Sequence, residues 1–249
     1  MRRSFILAEE RPVSSVPRWV LASFAAFMLL QITWQASRPA PEARADQLPS
    51  VLPVSVLRVS AIGEPIWAAQ LMALYLQSFD NQPGISIPFK DLDYEKVKNW
   101  LDASLRLDPV GQYPLMLSAQ VYGQVPVEEK QRLMMDFVYR AFLEEPDRRW
   151  RWLAHCAIMA RHRLNDVPLA LRYAEAIANR AGKASGWARQ MRIFMLADMG
   201  EKERAAVLLG GLLASGEVTD TKEIHFLTER FEELKGVDNS TLSTKSRQQ

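Results

Sequence analysis

Prolines and glycines in this chain punctuate it at near-regular intervals: Pro109, Pro146, Gly182 and Gly216 lie 37, 36 and 34 residues apart. Proline lacks the amide proton that a helix interior needs, and glycine ends helices readily, so these positions mark where helices must stop. Between them amphipathic stretches alternate with short breaks, and from Gly63 onward no stretch keeps the strict alternation of a half-buried strand. A period of this size, divided in two, is the mark of helix pairs that stack to bury faces one pair could not bury alone. The expected fold is all-α, a stack of helix-turn-helix repeats.

In the first full pair, Gln112 to Gly123 is followed by a break to Pro126 and then by Val127 to Glu144. The second of these helices carries Leu133, Met134, Phe137, Val138, Ala141 and Phe142 on one face, with Glu128 and Glu129 in the first turn, where the helix dipole favours them. The next pair spans Asp147 to Arg163 and Asp166 to Ala181, with Asp166 placed to cap the second helix and Pro168 tolerated in its first turn. A third pair spans Ser185 to Met199 and Glu201 to Ala214, broken at Gly200. A last helix, Thr221 to Lys235, starts with Asp220 and Glu223 in capping-box spacing and is expected to stop at Gly236 as a solubilising cap.

Three segments carry a resemblance. Asp93-Tyr94-Glu95-Lys96-Val97, Leu101 and Ser104-Leu105-Arg106-Leu107-Asp108-Pro109 resemble the second helix and closing acidic-Pro turn of a tetratricopeptide repeat. Ala141-Phe142-Leu143-Glu144-Glu145-Pro146 is similar to the same ending, and Leu115, Ala119 and Tyr122 resemble the large, small and tyrosine positions of a first helix. The likeness covers about Glu64 to Leu213, with departures: a long loop from Asp80 to Lys90, and later units without the acidic-Pro ending. It implies a concave groove lined by the first helix of each pair. Projected onto this sequence, the groove residues are Tyr113, Met116 and Gln120, then Trp150, Leu153 and Arg161, then Trp187, Gln190 and Phe194.

Ahead of the repeats, no residue between Arg18 and Arg38 is charged, and Trp19 to Trp34 is nearly all apolar. As a helix this run spans about 28 Å, close to the ~30 Å hydrocarbon layer. Tryptophans at both ends suit the headgroup boundaries, and Arg2, Arg3, Arg11 and Arg18 before the run outnumber Arg38 and Arg44 close behind it. The expected organisation is a cytoplasmic segment 1–18, a transmembrane helix 19–36, a Pro-rich spacer 37–62 that is extended from Ser37 to Pro53, the repeat domain 63–236 and a disordered polar tail 237–249. Ala43-Arg44-Ala45 has the form of a signal-peptidase site, so a cleaved leader is the alternative to an anchor. No later segment is expected to cross a bilayer.

Composition narrows the chemistry. Thirty-one basic against 29 acidic residues leave a formal charge of +2, and no basic stripe runs across successive repeats, so nucleic acid is not an expected partner. Cys156 is the single cysteine, which excludes an internal disulfide or a multi-cysteine zinc site. Phosphate-binding glycine loops and nucleophile elbows are absent, so no catalytic activity and no cofactor are expected. His155 and His162, seven residues apart on one predicted helix, lie about 10 Å apart along its axis, too far to share a metal. Arg148, Arg149, Arg151, Arg161 and Arg163 crowd the helix that also holds Trp150 and Trp152, and those on the groove side would pair with carboxylates of a bound chain. A solvated arginine face with one tryptophan in the core is the other reading. Asn239-Ser240-Thr241 matches a glycosylation sequon, which matters only in a secretory pathway with the right enzymes. The resemblance is to membrane-anchored bacterial envelope proteins of the repeat family. It implies a scaffold or assembly factor in the inner membrane, its repeat domain periplasmic and holding a peptide or helix of another envelope protein. A noncatalytic subunit of a membrane enzyme or secretion complex is the alternative.

Overall fold

The computed structural model describes residues 16–38, 45–82, 84–216 and 218–245, the last ten of these by backbone alone. The expected N-terminal segment through Ser15, most of the Ala43-Arg44-Ala45 site and the end of the tail lie outside the described residues. The chain divides into two units, one containing the first helix and the other nearly all the rest.

Helix α1, Arg18–Ala36, is long and apolar enough to cross a membrane, and none of its residues is buried. Its hydroxyls turn inward: Ser23 donates to the Trp19 carbonyl at 2.8 Å and Thr33 to that of Leu29 at 2.9 Å. Such back-bonding satisfies hydroxyls that lipid could not.

The larger unit is helical almost throughout. After α2 (Val54–Ser60) and α3 (Pro65–Ser78) come two minimal strands, β1 (Asn81–Gln82) and β2 (Ile85–Ser86), and then α4 (Tyr94–Leu107). Helix α5 (Tyr113–Met116) continues as a π turn over Leu117–Val121 and a 3-10 turn over Tyr122–Gln124. The remainder is α6 (Glu128–Glu144), α7 (Pro146–His162), α8 (Val167–Arg180), α9 (Gly186–Asp198), α10 (Lys202–Ser215) and α11 (Thr221–Lys245). Each helix packs chiefly on its neighbours in sequence, with α7 and α8 the most extensively joined.

Punctuation works here as the residues dictate. Asp93 accepts the Glu95 and Lys96 amides and starts α4. Asp166 accepts the Leu169 amide at 3.0 Å and starts α8. Gly200 at φ +81° and Gly216 at φ +68° stop α9 and α10 in the left-handed region that glycine enters without penalty. The capping box at Asp220 is only half formed: its carboxylate accepts the Lys222 and Glu223 amides, while Glu223 turns to Gln190 Nε2 at 3.0 Å.

Side-chain ties from α3 onward link alternate helices. Tyr113 donates to Gln77 at 2.9 Å, joining α5 to α3, and Trp152 Nε1 donates to Gln112 at 2.7 Å, joining α7 to the start of α5. Trp150 and Trp187 meet edge to face at 5.8 Å between α7 and α9, and Phe194 and Phe226 lie 6.2 Å apart between α9 and α11. On the even helices, Tyr139 of α6 packs on Tyr173 of α8 at 5.3 Å, and Lys130 of α6 lies 4.9 Å over the Tyr94 ring of α4. The core between them is continuous, from Leu76, Val97 and Leu101 through Met134, Phe142 and Leu153 to Ile177, Leu196 and Leu209.

Two expectations about the ends of the domain need correction. The spacer is not extended throughout: Leu48 is buried in the core, Trp100 donates its indole N–H to the Pro49 carbonyl at 2.9 Å, and α2 follows, held by Arg58 on the Arg106 carbonyl. Leu48 reaches the main core from non-helical chain, and Val51, Val54 and Leu57 pack on Ala69, Met72, Ala103 and Leu107, so tertiary contact holds the segment on the domain despite its prolines. At the other end, the backbone of α11 runs through Gly236 to Lys245, since an interior glycine costs a helix about 1 kcal/mol without ending it. As for a second span, α2 and α3 reach the needed length and apolarity only when counted together, and they meet at 112°.

Gly123 sits hard against fixed backbone. A Cβ there would lie 2.8 Å from the Ser118 carbonyl oxygen, a backbone atom that the π turn fixes in place. Gly123→Ala is therefore expected to destabilise the chain by about 2 kcal/mol, measured by urea unfolding, through overpacking that no rotamer can relieve.

Candidate interaction face

The odd helices α3, α5, α7, α9 and α11 are tied side by side, and each leaves one stripe outward. On α3 the stripe is Leu71 and Leu74, 63% and 58% exposed. Tyr113 and Gln120 are exposed on α5, with Met116 half-buried. On α7 the outward residues are Arg151, Ile158 and His162; on α9 they are Trp187, 52% exposed, and the half-buried Phe194, with Phe226 of α11 beside it. The mixture is aromatic and aliphatic with few charges, the composition of interface centres.

Of the groove residues expected from the repeat pattern, Tyr113, Gln120 and Trp187 stand in the open, and Met116 and Phe194 show part of their surface. Three do not. Leu153 is wholly buried in the core, Trp150 is covered by its contact with Trp187, and Gln190 is buried with its amide on Glu223. Arg161 is half-buried and paired with Asp198 of the next odd helix. The cause on α7 is rotational: each residue turns a helix by about 100°, and the buried stripe there is Leu153, Ala154, Ala157 and Ala160. Those alanines were the available signal, because close-packed small residues mark the side facing other helices.

The arginine cluster is dispersed. Arg148 pairs with Glu145, Arg161 with Asp198, and Arg163 donates to the Gln124 carbonyl at 2.9 Å. Arg149 is buried, donating to the carbonyls of Ala141 at 2.7 Å and Pro109 at 3.3 Å. Arg151 lies 5.5 Å over the Trp150 ring. Four of the five thus hold the chain to itself by hydrogen bonds or ion pairs, and the exposed Arg151 rests on the Trp150 ring.

Cys156 and the two histidines are equally separate. Burial pushes the Cys156 thiol up to about 12, and no shared ligand geometry unites it with His155, which is half-buried beside Gln124 at 3.4 Å. Burial lowers the His155 pKa, a backbone hydrogen bond to Ala119 opposes the shift, and Arg163 nearby adds to the lowering. Among the described residues no three His, Cys, Asp or Glu side chains are grouped as a metal site. Cys156 is expected to resist maleimide in the native full chain and to react at once in denaturant, followed by mass shift; the thiolate is both scarce and enclosed.

Two recesses open on the odd-helix side. Leu74, Gln70, Tyr113 and Pro114 border a cleft of about 470 Å³ between α3, α4 and α5. A smaller one, about 290 Å³, lies among Arg161, Phe194, Asp198, Phe226, Glu229 and Arg230. The first is apolar and continues the Leu71–Leu74 stripe; the second is rimmed by both signs of charge.

No protein-family model matches this chain, and no curated protein or solved structure matches it significantly.

Proposed function

We propose that this chain is a membrane-anchored interaction protein of tetratricopeptide-like design. In this reading α1 crosses the inner membrane with the N-terminus cytoplasmic, and α3 to α11 stand in the periplasm as stacked helix pairs. The odd-helix face captures a peptide or helix of another envelope protein, with no cofactor, metal or nucleic acid involved and no bond made or broken.

The observation that carries the reading is the exposed apolar and aromatic series Leu71, Leu74, Tyr113 and Trp187, with the half-buried Phe194, all on helices tied into one row. Large apolar side chains in water are costly, and clustered ones on a stable scaffold mark binding surfaces. The arginines support it by default: being engaged internally, they leave apolar contact as the main source of affinity. The membrane half rests on α1, whose length, lack of charge and flanking tryptophans suit a bilayer.

A photoreactive amino acid placed singly at Leu71, Tyr113 or Trp187 of the full chain in native membranes tests this directly. One envelope protein crosslinked from all three positions, and not from Arg140 on the exposed side of α6, is the expected result. Equal labelling from Arg140, or none from the face, would remove it.

A further inference from the structure

The turn between α2 and α3 exposes apolar side chains where nothing in the fold calls for them. Ile62 is 91% exposed and Val59 82%, and Val56, Ile66 and Trp67 on the two helices that the turn joins are exposed as well. Ile62 also sits at φ +50°, a left-handed conformation in which a β-branched side chain is strained, followed by Gly63 at φ +84°. An asparagine or glycine at position 62 would relieve the backbone and suit water better. The isoleucine is therefore unfavourable on both counts unless an apolar phase receives it.

Charge and tether say which phase that is. From Gln47 to Phe79 the charged residues are Arg58 and Glu64 alone, so the segment itself brings little charge to a leaflet; Asp102, Glu144 and Glu145 face α2 in a recess shared with Arg58, Arg106 and Arg149, where both signs are present. Trp67, apolar in body with an N–H at one end, is the residue type that settles at headgroup level. The chain from Ser37 to Gln47, roughly eleven residues at no more than ~3.6 Å each, keeps Leu48 within about 40 Å of the end of α1. For a chain anchored by α1, the bilayer is then the one apolar phase never out of reach, at an effective concentration no diffusing partner attains.

We infer that the α2–α3 knuckle, Val56, Val59, Ile62, Ile66 and Trp67, inserts into the headgroup and acyl boundary of the bilayer that holds α1. This rests on reading α1 as the anchor. Insertion of this kind is shallow, reaching about 5–10 Å into the boundary. It gives the helical unit a second attachment point, so that its height and tilt over the membrane are set by the knuckle and not by the linker alone.

The test uses the full chain in vesicles of phosphatidylcholine and phosphatidylglycerol carrying spin labels either near the headgroup or deep in the acyl region. An environment-sensitive fluorophore is attached through Ser60→Cys, between Val59 and Ile62, while buried Cys156 stays unlabelled. A second preparation carries it on α1 through Ser23→Cys. The Ser60 probe is expected to emit at shorter wavelength in vesicles than in water and to lose most of its fluorescence to shallow spin labels; the Ser23 probe is expected to lose its own to deep ones. Adding Val59→Asn and Ile62→Asn should abolish quenching at Ser60 without lowering Tm, because asparagine accepts the left-handed turn. A water-like Ser60 probe beside a quenched Ser23 probe overturns the inference and leaves the anchor standing. A shielded Ser60 probe that lipid spin labels do not quench means that protein covers the knuckle, which also overturns it. An unquenched Ser23 probe overturns the anchor, and the inference with it.

Discussion

Arg149→Ala is expected to lower the stability of the folded chain by about 3 kcal/mol, more than any other single arginine replacement in the cluster. The guanidinium is buried and joins three segments: the Ala141 carbonyl in the last turn of α6, the Pro109 carbonyl after α4, and α7, which carries it. A helix end is rich in carbonyls without partners, and a cation there satisfies them while opposing the helix dipole. Alanine removes the donors, strands two carbonyls and leaves a void. The carboxylate of Glu144, 3.0 Å away, is largely exposed and adds little. Glu144→Gln is accordingly expected to cost under about 1 kcal/mol, and this contrast separates carbonyl bridging from ion pairing. Arg149→Lys should fall between, since one ammonium cannot span both carbonyls. Urea unfolding of the three variants decides the matter: equal losses in Arg149→Ala and Glu144→Gln would mean that the salt bridge, not the bridging, holds the joint.

That joint also shows where the sequence stops being legible. Helix ends are written locally, so Pro109, Pro146, Gly200 and Gly216 punctuate the fold as their chemistry requires, and Asp93 and Asp166 cap the helices they precede. The link from Arg149 to Pro109 crosses 40 residues, and nothing near either one announces it. Facing direction is harder still. A helix such as α3, with no charge anywhere in it, reads as apolar on every side, so its sequence cannot say that Ala69, Ala73 and Leu76 turn inward while Leu71 and Leu74 turn out. On α7 the spacing alone does not fix rotation, so it assigns to the groove Trp150 and Leu153, which face the core. Leu48 and α2 were hidden for a third reason: the four prolines from Pro39 to Pro53 suggest an extended chain, and only tertiary contact with Trp100 fixes part of it on the domain.

Leu71→Glu combined with Leu74→Glu is expected to weaken capture of the crosslinked partner about 100-fold, or about 2.7 kcal/mol, while leaving the fold as it is. Both side chains are mostly in water, so the exchange removes little burial, and glutamate is a good helix former; Tm should move little. Binding responds differently because a partner covering this stripe would have to strip water from two carboxylates and offer them nothing in return. Tyr113 and the apolar cleft beside Leu74 continue the surface toward α5, so the loss should be shared by Tyr113→Ala to a lesser degree. Arg140→Glu on α6 changes charge by more than either single leucine exchange but lies on an even helix, and its capture should equal that of the unaltered chain. Undiminished capture by the double variant would place the binding surface elsewhere on the domain, and the exposed leucines of α3 would then require another cover.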